Sequence, residues 1–188
     1  MKKVLLKLLL QAIEDLYDQD YRNLILEVSE RNLCGRLAFH LENLMRQYDK
    51  DHNKSFFKEY FADIEYNRME DLDGKPLKKT VIFEDGTEET IICDMLVHSR
   101  GRNKKMDNLM ALEMKRTYNK DSVESDNKRL ITMVSPPSSN VVCKIMYSTL
   151  MGVFLTCDKT NCLITVYEWD SKAEGYRILM DNVEIVKK

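Results

Sequence analysis

Residues 108–116 read NLMALEMKR, an apolar run that stops on a glutamate and a lysine two positions apart. In an extended chain, positions i and i+2 share a face, so a strand here carries Glu113 and Lys115 side by side at its end. A second run, TIICDMLVH over 90–98, is interrupted by Asp94. A buried carboxylate flanked by apolar residues is costly unless something compensates it. If the two strands are neighbours in one sheet, the carboxylates of Asp94 and Glu113 converge at one edge, with Lys115 beside them.

Two hard oxygen ligands suit Mg²⁺, which keeps several waters and takes one or two carboxylates from a protein. An ion held there can bind a phosphate oxygen and lower the pKa of a water. A lysine ammonium is a compact point charge that can orient that water. The plainer alternative is a salt bridge, with Glu113 and Lys115 as a solvated strand end and Asp94 as a turn acid.

The rest of the chain supplies a frame for that edge. Over 24–48, Leu33, Leu37, Leu41, Leu44 and Met45 recur at helical spacing, with Ser29 as an N-cap candidate. FADIEYNRM (61–69) alternates as a strand, and TVIFEDGTEETIICDMLVH (80–98) reads as two strands around an Asp85-Gly86 turn. DSVESDNKRLITMVSPP follows as a helix that must stop near Pro136 and Pro137, and YSTLMGVFLTC and CLITVYEWD form a strand pair. Without repeats or a Pro/Gly-rich linker, residues 1–188 read as one α/β domain.

Charge and cysteine usage narrow the class. The chain has 44% apolar and 32% charged residues, enough for a sizeable core, and a net charge of only −2. Residues 98–129, however, hold nine Lys/Arg against five Asp/Glu. Five cysteines, Cys34, Cys93, Cys143, Cys157 and Cys162, form no CxxC pair and no even framework, which fits a reducing cytoplasm. The opening MKKVLLKLLLQAIEDLYDQD is broken by Lys7 and lacks a cleavage site, so it reads as an amphipathic helix, residues 1–22, packed on the body. No stretch is long enough to span a bilayer, and no membrane partner is expected.

The order Glu30, Asp94, Glu113-Met114-Lys115 over helix, strand and strand resembles the PD-(D/E)XK nuclease superfamily, the restriction-endonuclease-like fold. SERNLCGRLAFHL, ADIEYNR, CDMLVHSRG and NLMALEMKR are similar to the pattern of a group of small bacterial members, over residues 27–169. The resemblance implies a mixed central sheet flanked by helices, with an α-β-β-β-α-β core and the N-terminal helix as an extension. It implies Asp94 and Glu113 as ligands of Mg²⁺, with Mn²⁺ as a substitute. Lys115 would assist the attacking water and Glu30 would contribute from the first core helix. One departure is that Cys93 stands where a proline usually precedes the aspartate.

Other candidates are weaker. Asp49, Asp51, Asn53 and Ser55 start like a calcium loop, but Lys54 replaces the turn glycine and Tyr60 the bidentate glutamate. His40 reads as structural, and Cys157 and Cys162 as neighbours across a hairpin. Arg36, Arg68, His98, Arg100, Lys104, Lys105, Lys128 and Arg129 are candidate contacts to substrate phosphates, which supply sequence-independent affinity. The expectation is a Mg²⁺-dependent nuclease acting on nucleic acid, with DNA the first choice, as a homodimer or part of a larger complex. The alternative is a catalytically silent module of the same fold in a nucleic-acid-processing or defence assembly.

Overall fold

The computed structural model describes residues 1–70, 75–82, 85–90, 92–103, 105–119, 121–135 and 149–186. In it the N-terminal leucine pattern folds as α1 (Lys2–Gln19) and buries Leu5, Leu9, Ala12, Ile13 and Leu16 on one stripe. A short α2 (Tyr21–Ile25) turns the chain into α3 (Glu30–Asp51). Ser29 caps α3, its side chain accepting from the Asn32 N–H at 3.3 Å. The buried face of α3 carries Leu33, Cys34, Leu37, Ala38, Leu41 and Met45 and packs against α1 in one continuous core cluster. The N-terminal helix is therefore part of the core and not an appendage to it. His40 pairs with Asp20 at 2.7 Å, and Asp49 accepts from the Phe56 and Phe57 N–H groups. The candidate calcium loop is thus a helix C-terminus folded back on its own acid.

Among the described residues ten strands follow. They are β1 (Phe61–Ile64), β2 (Arg68–Glu70), β3 (Pro76–Lys78), β4 (Thr80–Ile82), β5 (Glu88–Thr90), β6 (Met95–His98), β7 (Asn108–Arg116), β8 (Gly152–Cys157), β9 (Asn161–Asp170) and β10 (Gly175–Val186). The main sheet has the order β1-β6-β7-β8-β9-β10; β7 and β8 run parallel, and the other neighbours run antiparallel. The parallel step requires a crossover, made by α4 (Val123–Val134). Two small antiparallel pairs, β2 with β3 and β4 with β5, lie outside this sheet.

Three readings change in detail. The single strand expected over 61–69 is two, because Glu65 takes a left-handed φ of 50° between β1 and β2. The strand expected after Asp85-Gly86 also divides, β5 pairing with β4 outside the main sheet and β6 entering it; Asp94 lies just before β6 and not within a strand. Pro136, Pro137 and Cys143 lie outside the described residues.

Alternation along β7 decides which side chains meet. Met110, Leu112 and Met114 join the core under α1 and α3, whereas Ala111 joins a second cluster with Leu96, Leu130, Met133, Val134 and Phe154 under α4. Glu113 and Lys115 follow Ala111 in period two and so face α4. The helix comes close because β8 begins with Gly152: a Cβ there would lie 3.2 Å from the Leu130 carbonyl oxygen and 3.2 Å from its Cβ. That close approach brings the charged face of α4 over Glu113.

Candidate functional site

Register places the two sequence-marked acids together. Met95 pairs with Leu112, so the antiparallel ladder continued by one residue sets Asp94 opposite Glu113. Asp94 Oδ2 accepts from the Met114 N–H at 2.8 Å, which ties its carboxylate to the strand carrying Glu113. Burial, followed by the adjacent Asp94 charge, pushes Glu113 up to about 8, so Glu113 holds its proton at neutral pH. Asp94 is also raised, by burial, although the Met114 N–H and Lys115 pull it back down.

Four further charges surround the pair. Lys115, largely buried, reaches Asp126 on α4 at 3.2 Å, and this carboxylate holds its ammonium above the usual lysine range despite burial. Arg129, one turn on, contacts Asp126 and lies 3.4 Å from Glu113. Glu30, first residue of α3, accepts from the Arg116 N–H at 2.9 Å and from Asn119 Nδ2 at 3.1 Å. It thereby pins the end of β7, near enough for its charge to raise Asp94. Cys34 sits among Asp94, Glu113 and Glu30, and burial pushes its thiol well up, so it is no nucleophile.

Among the described residues, no group of three or more His, Cys, Asp or Glu is arranged to hold a metal ion. The donor set at this edge is smaller, a pair of acids. It fits Mg²⁺ on chemical grounds: two hard oxygens crowd together where like charges and burial keep one of them protonated, and a divalent cation removes that conflict. Asp94 and Glu113 are the residues that could hold it.

The remaining candidates fall elsewhere. His98, at the opposite end of β6, is fully buried; its Nε2 is 3.0 Å from Asp63 and its Nδ1 accepts from the Arg100 N–H. Burial, then the nearby Lys79 charge, depresses His98 to about 4, so it is neutral and enclosed, unavailable to a phosphate. Arg100 makes two hydrogen bonds to Asp63, at 2.6 and 2.7 Å, and stacks 4.1 Å from the Phe61 ring centroid. Arg36 pairs with Asp20 and covers Phe39. Arg68 is exposed at the start of β2, Lys105 is exposed in the loop before β7, and Lys128 is exposed on α4. Lys104 lies outside the described residues. The basic stretch 98–129 is therefore not one patch: β7 separates Arg100 and Lys105 from Lys115, Lys128 and Arg129. A groove of about 390 Å³ along α3 and β1, lined by Ala38, Phe39, Glu42, Ala62 and Ile64 among others, shares no residue with the acid pair.

Sequence reading missed Asp126, buried to 1% exposure and the direct partner of Lys115. The signal was present: Asp126 precedes Leu130 and Met133 by four and seven positions, which places a carboxylate on the apolar stripe of its own helix. It also missed buried Lys79, whose amine donates to Asn108 at 2.7 Å and lies 3.6 Å from Asp107. No family model matches the chain, and no curated protein and no solved structure is similar to it.

Proposed function

We propose that this chain is a Mg²⁺-dependent phosphodiester hydrolase of nucleic acid, built on a restriction-endonuclease-like core. The observation that carries this reading is the Asp94 carboxylate hydrogen-bonded to the Met114 N–H at 2.8 Å, beside Glu113 on the same strand, with Lys115 two residues along from Glu113 in period two. With β2–β5 set aside as an insertion of two small pairs, the main-sheet order α3, β1, β6, β7, α4, β8, three antiparallel strands followed by a helix and a parallel strand, supports it. A bound Mg²⁺ would supply a Lewis-acidic charge for a phosphate oxygen and a water of lowered pKa. Asp94 and Glu113 are the residues that would hold it. Lys115 brings its ammonium to the same edge, where it orients the attacking water or neutralises the phosphate. Glu30 acts at one remove, by fixing the end of β7 through the Arg116 N–H.

One observation favours the silent module. Glu113, Lys115 and Glu30 each have an internal partner, respectively Arg129, Asp126 and the Arg116 N–H, as a purely structural cluster would. The two readings separate on Asp94→Asn. Asparagine keeps the acceptor for Met114 but loses the anionic ligand, and several kcal/mol of transition-state stabilisation corresponds to roughly a thousandfold in rate. Wild-type protein is incubated with single- and double-stranded DNA and RNA in Mg²⁺, Mn²⁺ or EDTA. Cleavage that needs metal and disappears in Asp94→Asn supports the hydrolase; no cleavage of any substrate with either metal sinks it.

A further inference from the structure

The charged face of α4 mirrors that of β7. Asp126 stands against Lys115 and Arg129 against Glu113, while Asp126 and Arg129, three residues apart, are also paired with each other. Arg129 is poorly seated for a guanidinium in such company. Its Nη2 is divided between Asp126 and Glu113, its Nη1 reaches to Glu89 at 4.0 Å, and its Nε is buried with no hydrogen-bond partner among the described residues. Guanidinium normally meets a carboxylate as a two-pronged fork, and an unpartnered buried donor costs free energy. Arg129 is thus held closely by Asp126 and only loosely by Glu113, with its Nε left over.

We propose that Arg129 is a resident stand-in for the divalent cation: in the metal-free protein its guanidinium lies against Glu113, where the ion would sit, and it withdraws onto Asp126 when the ion arrives. The proposal rests on the reading of Asp94 and Glu113 as the metal pair. Two cationic centres cannot share Glu113 at close range without strong repulsion in a buried site. Asp126, already in contact with the guanidinium, is the acceptor nearest to hand. Its Oδ1 faces Arg129 and its Oδ2 faces Lys115. A guanidinium that moves fully onto Asp126 takes up charge that now holds the ammonium, so metal entry loosens Lys115 and frees its amine for the substrate. Asp126 and Arg129 are positioning residues in this scheme, and one carboxylate couples metal loading to lysine release.

The test is Mn²⁺ binding to the full chain, followed by calorimetry and by the paramagnetic resonance of the free ion, without substrate. Arg129→Gln removes the competitor and should bind Mn²⁺ roughly tenfold more tightly, while its metal-free melting temperature falls because buried Asp126 loses one of its two cationic partners. Asp126→Asn removes the acceptor onto which Arg129 withdraws, and should weaken Mn²⁺ binding roughly tenfold, within the range typical of groups supporting metal ligands. The opposite signs are the signature; an arginine with only a structural role would lower stability and affinity together. If Arg129→Gln does not fold, Arg129→Met, which keeps an apolar stem of similar reach without the charge, should still bind more tightly than wild type. Wild-type binding with no gain in either Arg129 variant overturns the stand-in role alone. Absence of binding in wild type and all variants overturns the metal reading of the acid pair and this proposal with it.

Discussion

The two ends of the β6–β7 hairpin solve the problem of buried charge in different ways. At the His98 end every acid meets donors. Asp63 receives His98 and Arg100, while Asp107 receives the Ser99 hydroxyl at 2.6 Å and the Gly101 N–H at 2.8 Å with the Lys79 ammonium nearby. These partners hold Asp63 and Asp107 below the usual carboxylate range in spite of burial. At the Asp94 end two acids face each other, and both are raised. The first arrangement fixes a loop and is complete. The second stores a conflict that one more cation would relieve, which is why the site proposed for chemistry is this end and not the richer network.

The largest expected effect on stability belongs to the complete end. Asp107→Ala removes the carboxylate that lies 3.6 Å from the Lys79 ammonium, itself 2% exposed. Breaking a buried ion pair from one side costs about 3–5 kcal/mol. Urea unfolding should show that loss, and metal binding by the surviving folded protein should be unchanged. A loss below about 1 kcal/mol, the scale of an exposed pair, would erase the distinction between the two ends.

The pH dependence of stability should then run in opposite senses. Glu113 moves from the ordinary 4.5 to about 8. Between those values the unfolded chain has released a proton that the folded chain retains, so stability falls as pH rises through this window. His98 moves from 6.5 to about 4. There the unfolded chain binds a proton that the folded chain refuses, so stability falls as pH drops from 6.5 towards 4. The two losses overlap below 6.5, and the decline from about 6.5 to about 8 belongs to the Glu113 end. Mg²⁺ should abolish that upper decline, because binding expels the proton, and Glu113→Gln should abolish it without metal. A metal-free melting temperature that stays flat from about 6.5 to about 8 would contradict a Glu113 that keeps its proton in the folded state.

A smaller effect tests how α4 is held over the pair. Gly152→Ala sets a methyl 3.2 Å from the Leu130 carbonyl oxygen, a backbone atom with little room to yield. Overpacking of this kind costs about 1–3 kcal/mol. The displacement should also loosen Arg129 and Asp126 from their partners, so Mn²⁺ affinity should shift along with stability. A drop in stability with metal affinity intact would mean that α4 need not sit closely for the site to form.

What was legible in the sequence follows the range of the forces involved. Local signals carried far: Ser29 before α3, the leucine spacing of α1 and α3, and the end of NLMALEMKR on Glu113 and Lys115 all appear in place. The opposition of Asp94 and Glu113 was legible because a period of two and an adjacent ladder leave few alternatives. The Glu65 break was not, since a left-handed φ at a glutamate has no residue-type signal. Nor was β10, which among the described strands has β9 alone as its neighbour in the sheet. Asp126 and Lys79 were hidden by the usual assumption that charged residues face solvent, and their partners come from distant elements. The basic stretch misled for a geometric reason: a strand of nine residues intervenes, so residues near in sequence reach opposite ends of the sheet.

That division yields the smallest prediction. Removing one cation that neutralises a phosphate reduces the slope of log affinity against log salt by roughly 0.7–0.9. Lys128 lies on α4, one residue before Arg129 and so on the helix that covers the acid pair, whereas Lys105 is exposed at the opposite end of β7. If nucleic acid approaches the Asp94 end, Lys128→Ala should lower the salt slope by about that amount and Lys105→Ala should leave it alone. The reverse result would place the polymer at the complete end, over Arg100 and Phe61, and would separate nucleic-acid binding from the acid pair. Equal small changes from both substitutions would mean a path spanning the whole of β7, roughly 30 Å for nine extended residues. Filter binding at several salt concentrations distinguishes these outcomes without requiring turnover, so the comparison stands even if the protein proves to be a silent module.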